Sequence, residues 1–280
     1  MRQRRSGAAL RFITLAGLLL LASGCANLTA VREFANTSSD AAQYTQLVSG
    51  YVDTPKRLMR YEPESQRPTL ERQATERKAQ EEPLLLRQRL IQGYMNALGQ
   101  LAADGLPNYD NQLDGLSKAL QDAKFADPKE ATALASVSKL LTTAVTDRWR
   151  QGQLVTLIER TNEPFQVVVG TLVVIVEQGF TLDIANEREA VNKYYSELQR
   201  MSRDPAALAA IGEWREVREG QVANRDLAIR NYVVVLKTIA AGHQKLYDTR
   251  NDLSKVEVQA QVHEYTTRLK EAVNAIRSFY

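Results

Sequence analysis

Apolar residues recur at helical spacing along most of this chain. Between residues 40 and 61 they stand three, four or seven positions apart, which places them on one helix face: Tyr44, Leu47, Val48, Tyr51 and Leu58. Regular stripes return near the carboxyl end, at Val233, Leu236, Ile239, His243 and Leu246 and at Val262, Thr266, Leu269, Val273 and Ile276. Long helices with narrow apolar stripes pack side by side. The pattern therefore predicts an all-α fold, an elongated helical bundle with long, coiled-coil-like helices.

Proline, glycine and short polar runs mark where these helices begin and end. Asp127-Pro128 and Asp204-Pro205 are typical helix starts, because aspartate accepts hydrogen bonds from the first free N–H groups and proline needs none there. Asn162-Glu163-Pro164 repeats this pattern, and Pro83 is expected to disturb a helix interior. These signals predict helices over 40–61, 69–103, 110–123, 128–160, 162–202, 205–250 and 251–278.

One segment, residues 165–176, is apolar on every side. A helix of this kind is normally buried in the centre of a bundle. A strand is a second interpretation, since valine and isoleucine favour strands and residues 154–158 and 232–236 could pair with it. The run is too short to cross a bilayer as one helix. It also resembles the apolar tongue that helical pore-forming toxins hide within a bundle, so an insertion element is the third interpretation.

The first 24 residues have the three parts of an export signal. Arg2, Arg4 and Arg5 form a positive start, an apolar stretch runs from Phe12 to Ala22, and small residues follow it. A helix of that stretch would be about 17 Å long, well short of the roughly 30 Å of bilayer hydrocarbon. The segment is therefore expected to be a cleavable signal peptide rather than a permanent membrane span.

The only cysteine, Cys25, ends the run Leu21-Ala22-Ser23-Gly24-Cys25, which resembles the lipobox of bacterial lipoproteins. The resemblance implies that residues 1–24 are removed and that Cys25 becomes the lipid attachment site, with palmitate among its acyl chains. Ala22 departs from the Leu, Val or Ile that the family prefers at that position. Ala22 and Gly24 also suit ordinary signal peptidase, which would leave an unanchored periplasmic protein.

The lipoprotein resemblance also implies a location and a division of the chain. Ala26 lacks the aspartate that retains such proteins at the inner membrane, which favours the periplasm-facing side of the outer membrane. We expect a signal peptide over 1–24, a lipidated amino terminus and spacer over 25–40, and a helical-bundle domain over 41–280.

The charge of the chain argues against nucleic-acid binding. Four of its 36 basic residues and none of its 33 acidic residues lie in the first 24 positions, so the remainder carries 32 basic and 33 acidic residues. Nucleic-acid binding requires a surplus of positive charge to displace counterions from phosphates. We therefore expect no nucleic-acid partner.

Residues suited to catalysis or metal binding are scarce. His243 and His263 belong to neither a Glu-x-x-His nor a His-Glu-x-x-His motif. His243 lies on an apolar stripe and is expected to be a hydrogen-bonded core residue, whereas His263 is expected at the surface or an interface. Glycine-rich phosphate loops and the Gly-x-Ser-x-Gly elbow are absent from the sequence. The sequence therefore predicts no catalytic, metal-binding or cofactor-binding residues and no cofactor.

Two charged features have more than one interpretation. Glu187 with Glu189, and Glu213 with Glu216, could be catalytic pairs but are more typical of solvated helix faces. Trp214 stands in a run of alternating charge. It is either an interface anchor, since Trp and Arg are enriched in binding hot spots, or part of an ion-paired bundle helix.

Together these observations predict a membrane-anchored periplasmic lipoprotein with a non-enzymatic interaction or scaffold role in the cell envelope. Its partners would be the membrane, through the acyl chains of Cys25, and another envelope protein. The alternative is a membrane-active or lipid-handling bundle that uses residues 165–176. An enzyme ranks third.

Overall fold

A computed structural model describes residues 27–277 of the 280-residue chain, apart from 104, 106–115, 117, 121, 124 and 126. The described residues contain helices and no strand. The α-helices are α1 (Thr29–Ala42), α2 (Thr45–Val52), α3 (Thr54–Leu58), α4 (Arg67–Ala102), α5 (Pro128–Thr146), α6 (Leu154–Val174), α7 (Thr181–Met201), α8 (Pro205–Asp248) and α9 (Val256–Arg277). The predicted all-α helical bundle is confirmed, while coiled-coil-like packing stays a prediction.

Helix α1 lies inside the bundle, in contact with α4, α8 and α9. Its Val31, Phe34 and Ala35 are fully buried. Two glycines let the neighbouring backbones approach: a Cβ atom at Gly99 would collide with Asn36, and one at Gly242 would collide with the ring of Phe34. Helices α5 and α6 form one hairpin, α7 and α8 form a second, α6 packs on α8, and the short helices α2 and α3 pack on α4. One continuous apolar core joins all of these elements.

The two Asp-Pro helix starts are confirmed. The carboxylate of Asp127 accepts a hydrogen bond from the backbone N–H of Lys129 at 2.8 Å, and α5 begins at Pro128. The carboxylate of Asp204 likewise accepts from Ala206 at 3.0 Å, and α8 begins at the next residue. Helix α8 has 44 residues, so it is about 66 Å long.

The helix predicted over residues 40–61 is wrong, because α1 ends at Ala42 and α2 and α3 follow as short helices. The reason is a contact from a distant part of the chain. The hydroxyl of Tyr232 donates to the carbonyl of Ala42 at 2.8 Å, and Gln88 donates to that hydroxyl at 2.9 Å. This contact satisfies a carbonyl at the helix end that would otherwise be left without a partner.

The boundaries between residues 146 and 164 also differ from the prediction. Helix α5 ends at Thr146 rather than near residue 160, and Arg148 follows with a φ of 51°. Helix α6 begins at Leu154 and contains Pro164, so the start predicted at residue 162 is wrong. Proline removes one helical hydrogen bond, but burial of the flanking Phe165, which is 1% exposed, favours a continuous helix. Pro83 is accommodated inside α4 in the same way.

Two further predicted helices have partial outcomes. Most of the predicted helix over 110–123 lies outside the described residues, and 116, 118–120 and 122 are helical. The last helix begins at Val256, after a turn, rather than at residue 251 or 252.

The spacer expected to reach residue 40 ends earlier. From Thr29 onward the chain forms α1, and its Ser38 and Ser39 are buried along with its apolar residues. Small polar side chains suggested a flexible link, but they also let two helices pack closely. Ser39 donates a hydrogen bond to the carbonyl of Gln92 in α4 at 3.2 Å. Residues 29–40 therefore belong to the bundle domain.

Residues 165–176 form the end of α6 and the start of a π-helical turn, Ile175–Phe180. The strand interpretation is therefore wrong. Val168, Val169 and Leu172 are fully buried, whereas Val174 is 49% exposed, so one face is in the core. By length and composition alone, the helical stretch 151–201 could cross a membrane. Core helices of soluble proteins also meet these two criteria. Of its most apolar window, 44% is buried inside the bundle.

The π-turn keeps a row of apolar residues directed at the core. Leu172, Val176, Phe180 and Ile184 are spaced by four residues and all are buried. At 3.6 residues per turn such a row would drift around an α-helix, whereas the wider π-turn holds it on one side. The ring of Phe180 then stacks on Tyr51 with centroids 4.2 Å apart.

Candidate functional site

The predicted lipid attachment residue, Cys25, lies outside the described residues, but the structure shows where the chain enters the bundle. Leu28 is 6% exposed, and Leu253, in the connection between α8 and α9, is 5% exposed. The backbone N–H of Ala30 donates to the side-chain oxygen of Gln259 in α9 at 2.8 Å. The start of α1 is therefore held at the end of the bundle where α8 turns into α9.

His243 is the centre of a buried polar network, as expected of a core histidine. It is fully buried, and its ring lies 4.7 Å from the ring of Phe165 between centroids. Asn162 donates its amide to Gln244 at 3.0 Å, so its oxygen faces Nδ1 of His243 at 3.0 Å and accepts from it. Nε2 then accepts from the hydroxyl of Tyr94 at 2.5 Å.

Burial lowers the pKa of His243 to about 3. The imidazole is therefore neutral at physiological pH and is enclosed by protein on all sides. A general acid or base must reach its substrate within hydrogen-bond distance, which this position prevents. The network joins α4, α6 and α8. By contrast, His263 is exposed at 58% of its side chain, with Nδ1 3.6 Å from Glu33.

Glu187 is buried, not on a solvated face as the sequence predicted. It is 1% exposed and forms a bidentate pair with Arg57, with both nitrogen–oxygen distances 2.9 Å. Arg225 donates to the same carboxylate at 2.7 Å. Next to it, Arg77 donates to Asp183 at 2.8 Å, and burial raises the pKa of Asp183 against the opposing charge of Arg77. These ion pairs join α3, α4, α7 and α8, and buried charges held by opposite charges are typical of structural networks.

Neither a metal centre nor an enclosed ligand site is evident in the described part of the chain. There, no group of three or more His, Cys, Asp or Glu side chains is placed to hold a metal ion. A groove of about 730 Å³ lies between α4 and the π-turn, with Gln80, Pro83, Phe125, Val174 and Gln178 among its lining residues. Its lining includes two charged residues, Glu76 and Arg87, and Arg87 is already paired with buried Glu130 at 2.6 Å.

The most distinctive exposed surface is on the α7–α8 hairpin. Trp214 lies 18 residues before Tyr232 in α8, which is five helical turns, so both occupy the same face. Tyr232 is completely buried, but Trp214 is 58% exposed. The face that α8 buries in the bundle thus continues past the end of the bundle and becomes accessible. Val217, three residues after Trp214, is 55% exposed and extends this apolar surface, and Leu208 (37%) and Met201 (76%) are further exposed apolar residues of the hairpin.

Aromatic and basic side chains lie where this exposed part of the α7–α8 hairpin meets the rest of the bundle. Tyr61, which follows α3, packs against Tyr194 and Tyr195 of α7 with ring centroids 5.6 and 6.4 Å apart. Burial raises the pKa of Tyr61, the charges of Arg218 and Arg60 oppose that rise, and those of Tyr195 and Glu187 add to it. The charges of both arginines therefore act on the phenol. The sequence identified Trp214 as a possible anchor but did not reveal that Tyr61 packs on α7 of the same hairpin.

No family model matches this chain, and comparison with curated proteins and with solved structures gives no significant match.

Proposed function

We propose that this chain is a membrane-anchored lipoprotein of the bacterial envelope with a non-enzymatic interaction or scaffold role. Cys25 would carry the acyl chains and hold the bundle on the periplasm-facing leaflet of the outer membrane. The bundle then serves as a rigid support that presents the α7–α8 hairpin to another envelope protein.

The observation that supports this proposal is the placement of Leu28 and the hairpin tip at opposite ends of the bundle. Cys25 stands three residues before Leu28, and Leu28 lies at the end of the bundle where α8 turns into α9. The hairpin tip, between Met201 and Pro205, lies at the other end of α8, about 66 Å away. A tether at Cys25 thus separates the exposed Trp214 from the anchoring membrane.

The buried titratable groups support a non-enzymatic role. His243 is enclosed, and Glu187 is neutralised by two arginines. Both ring nitrogens of His243 and both carboxylate oxygens of Glu187 already have hydrogen-bond partners within the fold. Their arrangement therefore fits a rigid bundle rather than a reaction centre.

Metabolic labelling with an acyl-chain analogue tests the anchor. The wild-type chain should incorporate the label and sediment with outer-membrane fractions, whereas Cys25→Ala should do neither. Equal labelling of the two forms, or recovery of the wild-type chain wholly in the soluble periplasm, would contradict the proposal. A control variant, Ser23→Ala, keeps small residues before the cysteine and should be labelled like the wild type.

A further inference from the structure

The exposed surface of the hairpin has the composition of a binding hot spot. We call it the hairpin notch and define it by Tyr61, Tyr194, Trp214, Val217 and Arg218. Trp214, Val217 and Arg218 share one side of α8, since residues three and four apart are neighbours on a helix. Trp, Tyr and Arg dominate the energetics of protein–protein interfaces. The notch thus combines large apolar area with positive charge in one place.

Small residues leave room above the notch for another helix. Ala207 and Ala210 precede Trp214 by seven and four residues, so they lie on the same side of α8, and both are only partly buried. The stripe from Ala207 to Val217 is therefore spaced by three and four over ten residues, or about 15 Å. Such a stripe accepts side chains of a second helix between its own.

Two basic residues at or beside the notch, Arg218 and Arg60, form no salt bridge among the described residues, and Arg218 donates instead to the side chain of Gln221 at 2.8 Å. Glu213 and Glu216 are one and two residues from Trp214 and do not share its face. A partner that carries carboxylates would complement this charge.

We infer that the hairpin notch binds an acidic amphipathic helix of a partner protein, with apolar residues on Trp214 and Val217 and carboxylates on Arg60 and Arg218. This inference rests on the proposed interaction role and not on the lipid anchor. The partner helix extends the bundle, because it occupies the face of α8 that α1 and α4 cover further along.

Two synthetic helical peptides test the inference. They share leucines at positions i, i+3, i+4 and i+7 and carry either glutamate or lysine elsewhere. The protein would start at residue 26, which keeps all of the described core, from Leu28 to Ile276. Fluorescence anisotropy of labelled peptides should show that the glutamate peptide binds at least about tenfold more tightly than the lysine peptide, and that salt weakens this binding.

Matched variants should locate the binding. Trp214→Ser and Arg218→Glu should each weaken the glutamate peptide by about tenfold or more. The double variant Arg60→Glu, Arg218→Glu should reverse the preference toward the lysine peptide. Val174→Ser changes an exposed apolar residue elsewhere and should leave binding unchanged. None of the four positions is buried, so the thermal midpoint should stay near that of the wild type.

Binding of neither peptide, equal binding of both, or binding that is indifferent to Trp214→Ser would overturn the inference. Concentration-dependent dimers that Trp214→Ser abolishes would identify a second copy as the occupant instead. Binding to phosphatidylglycerol vesicles that Trp214→Ser abolishes would identify a membrane. Failure of acyl labelling would reject the anchor and leave these results unaffected.

Discussion

The close contact between α8 and α1 at Gly242 gives a sharp test of the packing. A methyl group at this position would lie far inside van der Waals contact with the ring of Phe34, which is fully buried. The ring cannot move aside, since it also packs edge-on against Tyr265 with centroids 6.3 Å apart. Gly242→Ala should therefore force a shift of the backbone or of the ring.

Two opposing effects set the magnitude of this change. Alanine is favoured over glycine in a helix interior by about 1 kcal/mol. Overpacking a well-packed core has a cost of typically about 1–3 kcal/mol. With a rigid, enclosed ring as the obstacle, the second effect should dominate. We expect Gly242→Ala to lower the free energy of unfolding by about 1–2 kcal/mol.

Gly212→Ala is the matched control, because it lies in the same helix with no atom within 4 Å of the added methyl group. It should stabilise the protein by up to about 1 kcal/mol. Urea unfolding followed by circular dichroism would measure both variants. In the double variant Phe34→Leu, Gly242→Ala the smaller side chain should reduce the penalty of the alanine. If Gly242→Ala were as stabilising as Gly212→Ala, the close helix contact would be wrong.

The other predictions concern the core of the apolar segment and two buried polar groups. Val173→Asp, at a side chain only 9% exposed, should destabilise the fold by about 1–3 kcal/mol, whereas Val174→Asp, at a side chain 49% exposed, should change the stability little. Equal effects of the two variants in urea unfolding would reject the burial of this face. A stable Val173→Asp protein that lost vesicle binding would favour the insertion element. Burial lowers the pKa of His243 to about 3, so the unfolded chain binds the proton more readily below pH 6.5. Stability should therefore fall by up to about 1.4 kcal/mol per pH unit from pH 6.5 to pH 5, and His243→Gln should remove this dependence; an unchanged slope would show that other groups cause it. Glu130→Gln leaves Arg87 buried without its counter-charge and should lower stability by about 3 kcal/mol, which a negligible shift of the urea midpoint would contradict.

Features with local causes were predictable from the sequence. The aspartate caps at Asp127 and Asp204 were recognised because a cap depends on residues two or three positions away. The core placement of His243 followed from its position on a regular apolar stripe. Pro164 was wrongly predicted to mark a helix start, because burial along α6 outweighed the local preference of proline for that position.

Parts of the candidate site depend on contacts that no local pattern contains. Tyr61 and Arg218 are 157 positions apart, and only the packing of both α3 and α8 against α7 brings them to the same end of the fold. The buried pairing of Glu187 with Arg57 has the same origin. Neither pair stands out in the sequence, because each of these residues is common on solvated helix faces.

The sequence by itself determined that this protein is helical and which face of each long helix is apolar, because periodicity and capping are properties of neighbouring residues. It also indicated Trp214 without deciding its role. Only the tertiary structure decided where α1 ends and how a π-turn keeps the apolar row through Phe180 in the core. It also decided that one face of α8 is buried at Tyr232 and exposed at Trp214. The physical reason is that burial depends on how far neighbouring helices extend, and a repeating pattern along one helix carries no information about the length of the others.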